Sequence, residues 1–243
     1  MSVRSLFFSL SILSLVQTLP AKDPAQETVV LLHGILNRPF VMTKIQKGLE
    51  KEGFRVLNWG YQSTEKSIEE YTADLKTFVA SQKLTHTVHF VGFSLGSIIA
   101  RNYLSTTPPS QLGRFVQIAP PNHGSQRVSA LSQFKTFRWI LGDKAFEQMK
   151  PNSTFLQSMG LPPCAIGIIV GGRGDGKGYS DSLAGDDDGT VSLESSRLEG
   201  AKDFAQVPST HTLLLAHDKT VDLVVAFLKN GTFRFNSSAE VLK

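Results

Sequence analysis

One cysteine in 243 residues, no Lys/Arg cluster longer than a dipeptide, and no unbroken apolar stretch near the ~20 residues of a membrane-spanning helix set the first limits on this sequence. Cys164 alone closes no internal disulfide and builds no zinc site of paired cysteines. With its basic residues dispersed, a net charge of +4 from 25 Lys/Arg and 21 Asp/Glu does not make a nucleic-acid surface. Internal repeats, low-complexity segments and inter-domain linkers are also missing. A composition of 41% hydrophobic and 19% charged residues, with 20 Gly and 11 Pro, excludes disordered, collagenous and coiled-coil chains and suits one domain with a sizeable core.

The first residues read as an address. Met1-Ser-Val-Arg4 is a short positive start, Leu6 to Val16 (LFFSLSILSLV) an apolar run of eleven residues, and Thr18-Leu-Pro-Ala21 ends on a small residue. This is the three-part layout of a secretory signal peptide cleaved after Ala21. The chain is therefore expected to be exported, secreted or periplasmic, with one domain over residues 22–243.

From Thr28 onward, short continuous apolar runs alternate with longer runs whose apolar residues fall three and four apart. This predicts an α/β fold: a mostly parallel sheet with helices on both faces. The strand candidates are Thr28–Leu32, Arg55–Trp59, Val88–Val91, Arg114–Ala119 and Ala165–Val170. Ser67-Ile-Glu-Glu70 reads as a capping box ahead of a stripe of Ile68, Tyr71, Leu75, Phe78 and Val79. Near the end, Asp218 is placed to cap a helix bearing Val221, Val224, Val225 and Leu228, which Gly231 stops. Residues 126–159 interrupt the alternation with Leu131, Phe134, Phe137, Trp139, Ile140, Leu141, Phe146, Met149, Phe155 and Leu156 and no clear strand. They read as a helical insertion, serving either as a cap over a binding site or as packing on the sheet.

The chemistry concentrates after the third strand. Gly92-Phe93-Ser94-Leu95-Gly96 between a buried strand and a helical run is a nucleophile elbow: Ser94 sits at the tip of a sharp turn, and Gly92 and Gly96 avoid collisions with neighbouring backbone. His33-Gly34-Ile35 follows the first strand, where such folds place a second oxyanion donor. The backbone N–H groups of Ile35 and Leu95 are the candidate pair, and one such donor is worth ~3–4 kcal/mol to an acyl-transfer transition state. His33 reads as a structural hydrogen-bonding residue. The remaining partners follow in the order Ser, acid, His. Asp188, before Gly-Thr-Val, is the favoured acid over Asp187, with Asp186 and Asp187 otherwise expected to be solvated. His211 is the favoured base over His217, which lies at a helix start.

These segments resemble the α/β-hydrolase lipases and esterases, in particular compact lipase-like proteins related to the inositol deacylases that act on lipid anchors. The resemblance spans Thr28 to Phe233 and rests on VVLLHGIL (29–36), VHFVGFSLGSIIAR (88–101), APPNHGS (119–125), DDGTVSLESSRL (187–198) and STHTLLL (209–215). It implies Ser94, Asp188 and His211 as a triad, a sheet of about six strands because the family's first strands are missing, and two-step acyl transfer without metal or organic cofactor. Phe93 stands where such lipases usually carry His, and Ser97 where a third glycine is common.

Other signals are weaker. Gly171 to Gly178 nearly spells a phosphate loop, but Gly178 follows Lys177 where Ser or Thr is required. The aspartate run does not align with a calcium loop. His86 and His89 lack a third metal ligand, and His123 precedes the acid but is placed to line a pocket mouth. Asn152, Asn230 and Asn236 fit the glycosylation pattern. The sequence thus points to a serine carboxylic-ester hydrolase for small-molecule or lipid esters, with transient lipid-surface contact and no nucleic-acid partner. An acyltransferase or thioesterase would use the same triad, and a binding protein on a hydrolase shell is the alternative of another class.

Overall fold

Residues 26–131 and 143–234 are described by the computed structural model of the chain. Six strands, β1 (Thr28–Leu32), β2 (Arg55–Trp59), β3 (Val88–Phe93), β4 (Leu112–Ile118), β5 (Ile166–Gly172) and β6 (Asp203–Pro208), form one sheet of order β2-β1-β3-β4-β5-β6. All neighbouring pairs are parallel. The continuous apolar character of β1, β3 and β5 follows from burial on both faces, since every residue of these three strands is buried.

Helices α2 (Ile68–Ser81) and α3 (Leu95–Thr106) cover one face, whose core includes Tyr71, Leu75, Phe90, Ile98, Tyr103 and Ile168. Helices α1 (Thr43–Lys51) and α8 (Asp218–Asn230) cover the other, around Leu31, Ile45, Val91, Ile169, Val224 and Phe227. The capping box of α2 is formed: Ser67 Oγ accepts from Glu70 N–H at 3.2 Å, and Glu70 Oε2 accepts from Ser67 N–H at 2.7 Å. A cap of this kind is worth ~1 kcal/mol.

The insertion contains α4 (Gln126–Leu131), α5 (Asp143–Gln148) and α6 (Thr154–Ser158), and the short α7 (Leu193–Ser196) follows β5. Ala145, Met149, Leu156 and Met159 join the core on the α2–α3 face. Gln148 and Lys144 tie α5 to Ile68, Glu69 and Glu70 at the start of α2. These residues therefore pack as part of the domain. The proposed signal segment 1–21, the insertion residues Phe134, Phe137, Trp139, Ile140 and Leu141, and Asn236 lie outside the described residues.

Several expectations are corrected in detail. β3 continues through Gly92-Phe93 to the elbow, and β5 continues through Gly171-Gly172. β4 begins at Leu112 and stops before Ala119, whose φ of 47° turns the chain away. β6 is absent from the strand candidates because of Asp203–Pro208 only Val207 is buried, so no continuous apolar run marks it. The cap of α8 is His217, whose Nδ1 accepts from Lys219 N–H at 3.2 Å. Asp218 instead stands in the first turn, paired with Lys44 at 2.7 Å, while Gly231 at φ 72° ends the helix as expected.

Candidate active site

The register between β1 and β3 sets Leu32 opposite Gly92, so the loops that follow the two strands leave the sheet side by side. One carries His33-Gly34-Ile35 and the other Ser94. Ser94 has φ 52° and ψ −120°, a conformation costing ~1–3 kcal/mol for a residue with a side chain. The surroundings over-determine it. Ser94 N–H donates to Ile118 O, and Ser97 N–H donates to Ser94 O, both at 2.9 Å.

Both elbow glycines are required by close approach. A Cβ on Gly92 would stand 2.5 Å from Ser97 Cα, and one on Gly96 would stand 2.5 Å from the carbonyl oxygens of Leu32 and His33. Ser97, where a third glycine is common in the lipases this chain resembles, supplies a further tie: its hydroxyl donates to Gly92 O at 2.7 Å. The Ser94 side chain is 8% exposed and makes no hydrogen bond among the described residues, as is common before a substrate tightens such a site.

The oxyanion loop lies against the elbow. A Cβ on Gly34 would be 3.0 Å from the Phe93 ring and 3.2 Å from Ser94 Cβ, so glycine leaves these side chains in place where another residue would press on them. Among the described residues, neither the Ile35 nor the Leu95 amide donates to a protein acceptor. Beneath the loop His33 is fully buried, with its Nδ1 2.9 Å from Gly34 O. A carbonyl can only accept, so Nδ1 carries the proton and Nε2 is left as an unpartnered buried acceptor. The ring stacks on Tyr61 at 4.2 Å, and Tyr61 Oη donates to His33 O at 2.6 Å. Burial holds the His33 pKa below its ordinary value and that of Tyr61 well above.

Asp188 and His211 come together at the far side of the elbow. His211 Nδ1–H donates to Asp188 Oδ2 at 2.6 Å, and His211 N–H donates to Asp188 O at 2.8 Å. The other carboxylate oxygen, Oδ1, accepts from Thr190 and Val191 N–H at 2.9 and 2.8 Å. His211 keeps 14% side-chain exposure while Asp188 keeps 2%.

Phe93 joins this pair to Ser94. Its ring lies 4.9 Å from the imidazole and packs against Gly34. Because Ser94 follows it directly, one side chain touches the histidine, abuts the oxyanion loop and anchors the elbow. Phe93, standing where such lipases usually carry His, thus sets an apolar ring against the imidazole.

The three aspartates divide by their partners. Contrary to the expectation of solvation, Asp187 is fully buried, with Oδ1 accepting from Gly189 N–H at 2.6 Å and Oδ2 from Ser180 N–H at 3.3 Å. Asp186 is partly buried. Burial opposes its ionisation, but Gln206 and the amides of Arg173, Gly174 and Asp187 outweigh that and hold its pKa below the usual carboxylate range. Both brace the loop that presents Asp188. His217 is engaged as a helix cap, away from the pair.

Two signals in the sequence carried more than their reading. The glycine run that begins at the end of β5 is a close-packing device: a Cβ on Gly171 would overlap Ser209 O and stand 2.8 Å from Asp188 Cβ, so the acid and histidine loops converge over bare backbone. APPNHGS and DDGTVSLESSRL interlock. Ser125 Oγ donates to Thr190 O at 2.7 Å, and Asn122 Nδ2 donates to Ser196 O at 2.9 Å. Asn122 also accepts from buried Arg101, which binds the Met159 and Gly160 carbonyls and whose pKa burial lowers to about 10. His123 is exposed and lines two small cavities against the insertion, neither of which includes Ser94 or His211. Among the described residues no three His, Cys, Asp or Glu side chains gather as a metal ligand set. His89 is bonded to Arg114 N–H and Glu27.

The family model for palmitoyl protein thioesterase matches residues 28–159, which include the elbow and the oxyanion loop but not Asp188 or His211. None of the curated proteins matches significantly. Among solved structures, the mature lipase BlEst2 of Bacillus licheniformis is 19% identical with a TM-score of 0.68, over 87% of this chain and 95% of its own. An esterase of Exiguobacterium antarcticum is 15% identical with a TM-score of 0.59, over 84% and 92%. Phospholipase PlaB of Legionella pneumophila is 12% identical with a TM-score of 0.63, over 84% and 59%. The likeness establishes the α/β-hydrolase fold.

Proposed function

Because this chain belongs to the palmitoyl protein thioesterase family, we propose that it is an exported serine hydrolase that cleaves acyl esters, lipidic ones included, through Ser94, His211 and Asp188. The observation that carries this reading is the 2.6 Å His211–Asp188 bond, joined through the Phe93 ring to a strained Ser94 whose hydroxyl makes no hydrogen bond among the described residues. Asp188 fixes the imidazole with its proton on Nδ1, leaving Nε2 as the base for the Ser94 hydroxyl. Ser94 Oγ attacks the acyl carbonyl while the Ile35 and Leu95 amides receive the oxyanion. His211 returns the proton to the leaving group, and a water activated by the same base releases the acid.

The family favours thioesters as well, since the acyl-enzyme step does not distinguish an alkoxide from a thiolate leaving group. The relation to inositol deacylases rests on the shared motifs alone. Fluorophosphonate labelling, followed by turnover of a matched octanoyl oxygen ester and thioester, tests the reading. Ser94→Ala should abolish labelling, Asp188→Asn should lower kcat by about 10⁴-fold, and His217→Ala should retain wild-type turnover. Persistent labelling of Ser94→Ala, or loss of activity in His217→Ala with His211→Ala active, overturns the assignment.

A further inference from the structure

Exposed large hydrophobic side chains are few among the described residues, and three of them gather around the candidate site. Leu36 (58% exposed) and Phe40 (73%) follow the oxyanion loop, and Leu213 (62%) follows His211. Phe40 and Leu213 face each other across a groove of ≈ 500 Å³ that also takes in Val41, Leu215 and the stems of Lys44 and Lys47. Leu36 is held outward by a backbone φ of 56°, in a turn closed by Asn37 N–H to Gly34 O at 3.3 Å and Asn37 Nδ2 to Ile35 O at 2.8 Å. The chain thus uses a strained turn to present leucine to solvent immediately beside its oxyanion donor.

The basic residues of this rim outnumber its carboxylates, with Asp218 standing at the end of the second wall. Residues 33–47 carry Arg38, Lys44 and Lys47 and no carboxylate, and residues 207–217 carry none either. Lys44 is neutralised by Asp218 and also donates to Ala216 O, which holds the two walls together. Among the described residues Arg38 and Lys47 have no ion-pair partner, and both are exposed.

We infer that this rim is a docking surface for an anionic lipid bilayer: Leu36, Phe40 and Leu213 enter the interface while Arg38 and Lys47 meet lipid phosphates. The inference deepens the proposed function, because Leu36 directly follows Ile35 and Leu213 lies two residues after His211, so a lipid surface held there supplies a lipidic ester beside the proposed machinery. Apolar insertion combined with a few basic residues is the arrangement that gives reversible rather than permanent membrane attachment.

The test is co-sedimentation of Ser94→Ala protein with phosphatidylcholine vesicles containing 30% phosphatidylglycerol, compared with phosphatidylcholine alone. Expected are binding to the anionic vesicles, at least tenfold weaker binding of Phe40→Ser/Leu213→Ser and of Arg38→Gln/Lys47→Gln, and unchanged turnover of a soluble short-chain ester when the same substitutions are made in the Ser94 enzyme. Equal binding to both vesicles, or undiminished binding by the two variants, overturns the inference. So does a solution dimer that Phe40→Ser/Leu213→Ser dissociates, which would give the face to a second copy. Turnover losses on soluble esters that grow with acyl length would assign the groove to the substrate's own chain and overturn it likewise. Binding measured on Ser94→Ala needs no catalysis, and fluorophosphonate labelling needs no vesicle, so the inference and the proposed function fail separately.

Discussion

Below pH 6.5 the burial of His33 becomes a stability cost. In the unfolded chain its imidazole titrates at the ordinary 6.5, whereas in the fold desolvation holds the pKa lower, with Nε2 lacking any partner to stabilise a proton. Between the two values the unfolded chain binds the proton that the native ring refuses, so stability is full above about pH 6.5 and declines as pH falls. His89, lowered mainly by burial and partly restored by Glu27, acts in the same direction. Thermal melts should therefore show a falling Tm from pH 6.5 toward 5.5, and His33→Asn should flatten that slope; an unchanged Tm would refute the assignment of His33 as a buried neutral ring. At this scale the sequence was informative where a residue type has one use: the glycines around Ser94 and the histidine beneath the oxyanion loop could be read from their positions. It singled out Asp188, which meets His211, but not the burial of Asp187, because identical side chains in succession are separated by which backbone amides fold round each.

An element announces itself in sequence when burial is symmetrical. β1 was bounded to the residue because it is covered on both faces, and the capping box of α2 was complete in four residues. β6 went unmarked for the opposite reason: its outer edge and most of its side chains meet solvent, so nothing required an apolar run. Its place is fixed instead by its neighbour and by α8. Gly167 in β5 lies under that helix, where a Cβ would be 2.7 Å from the Phe227 ring and 2.8 Å from Phe233. Gly167→Ala should therefore push α8 off the sheet at a cost of ~1–3 kcal/mol. At ~2–4 °C per kcal/mol for a domain of this size, the expected Tm loss is about 2–12 °C, with ester turnover at 25 °C retained. A Tm equal to wild type would show that the rings have room to move.

For the molecule as a whole, the alternation of strand and helix gave the class and the parallel sheet, while the order β2-β1-β3-β4-β5-β6 came only from the structure, since periodicity carries no information about which strands adjoin. The proposed export of the enzyme belongs to this scale too. Expressed with its own leader, the protein should appear outside the cytoplasm with Lys22 as its first residue by N-terminal sequencing; retention inside cells with Met1 intact would refute the leader. The division of the site among β1, β3, β5 and β6 has a consequence for biogenesis. A chain that emerges N-terminus first, from a ribosome or through a translocation pore, presents the elbow and the oxyanion loop long before the acid and base arrive. Under the proposed mechanism the serine is then an ordinary alcohol during synthesis and transit, and becomes a nucleophile only once the loop after β6 has docked on bare glycine backbone. Enzymatic competence would in that case report completed folding, and partially made chains would be harmless to the esters of the cell that produces them.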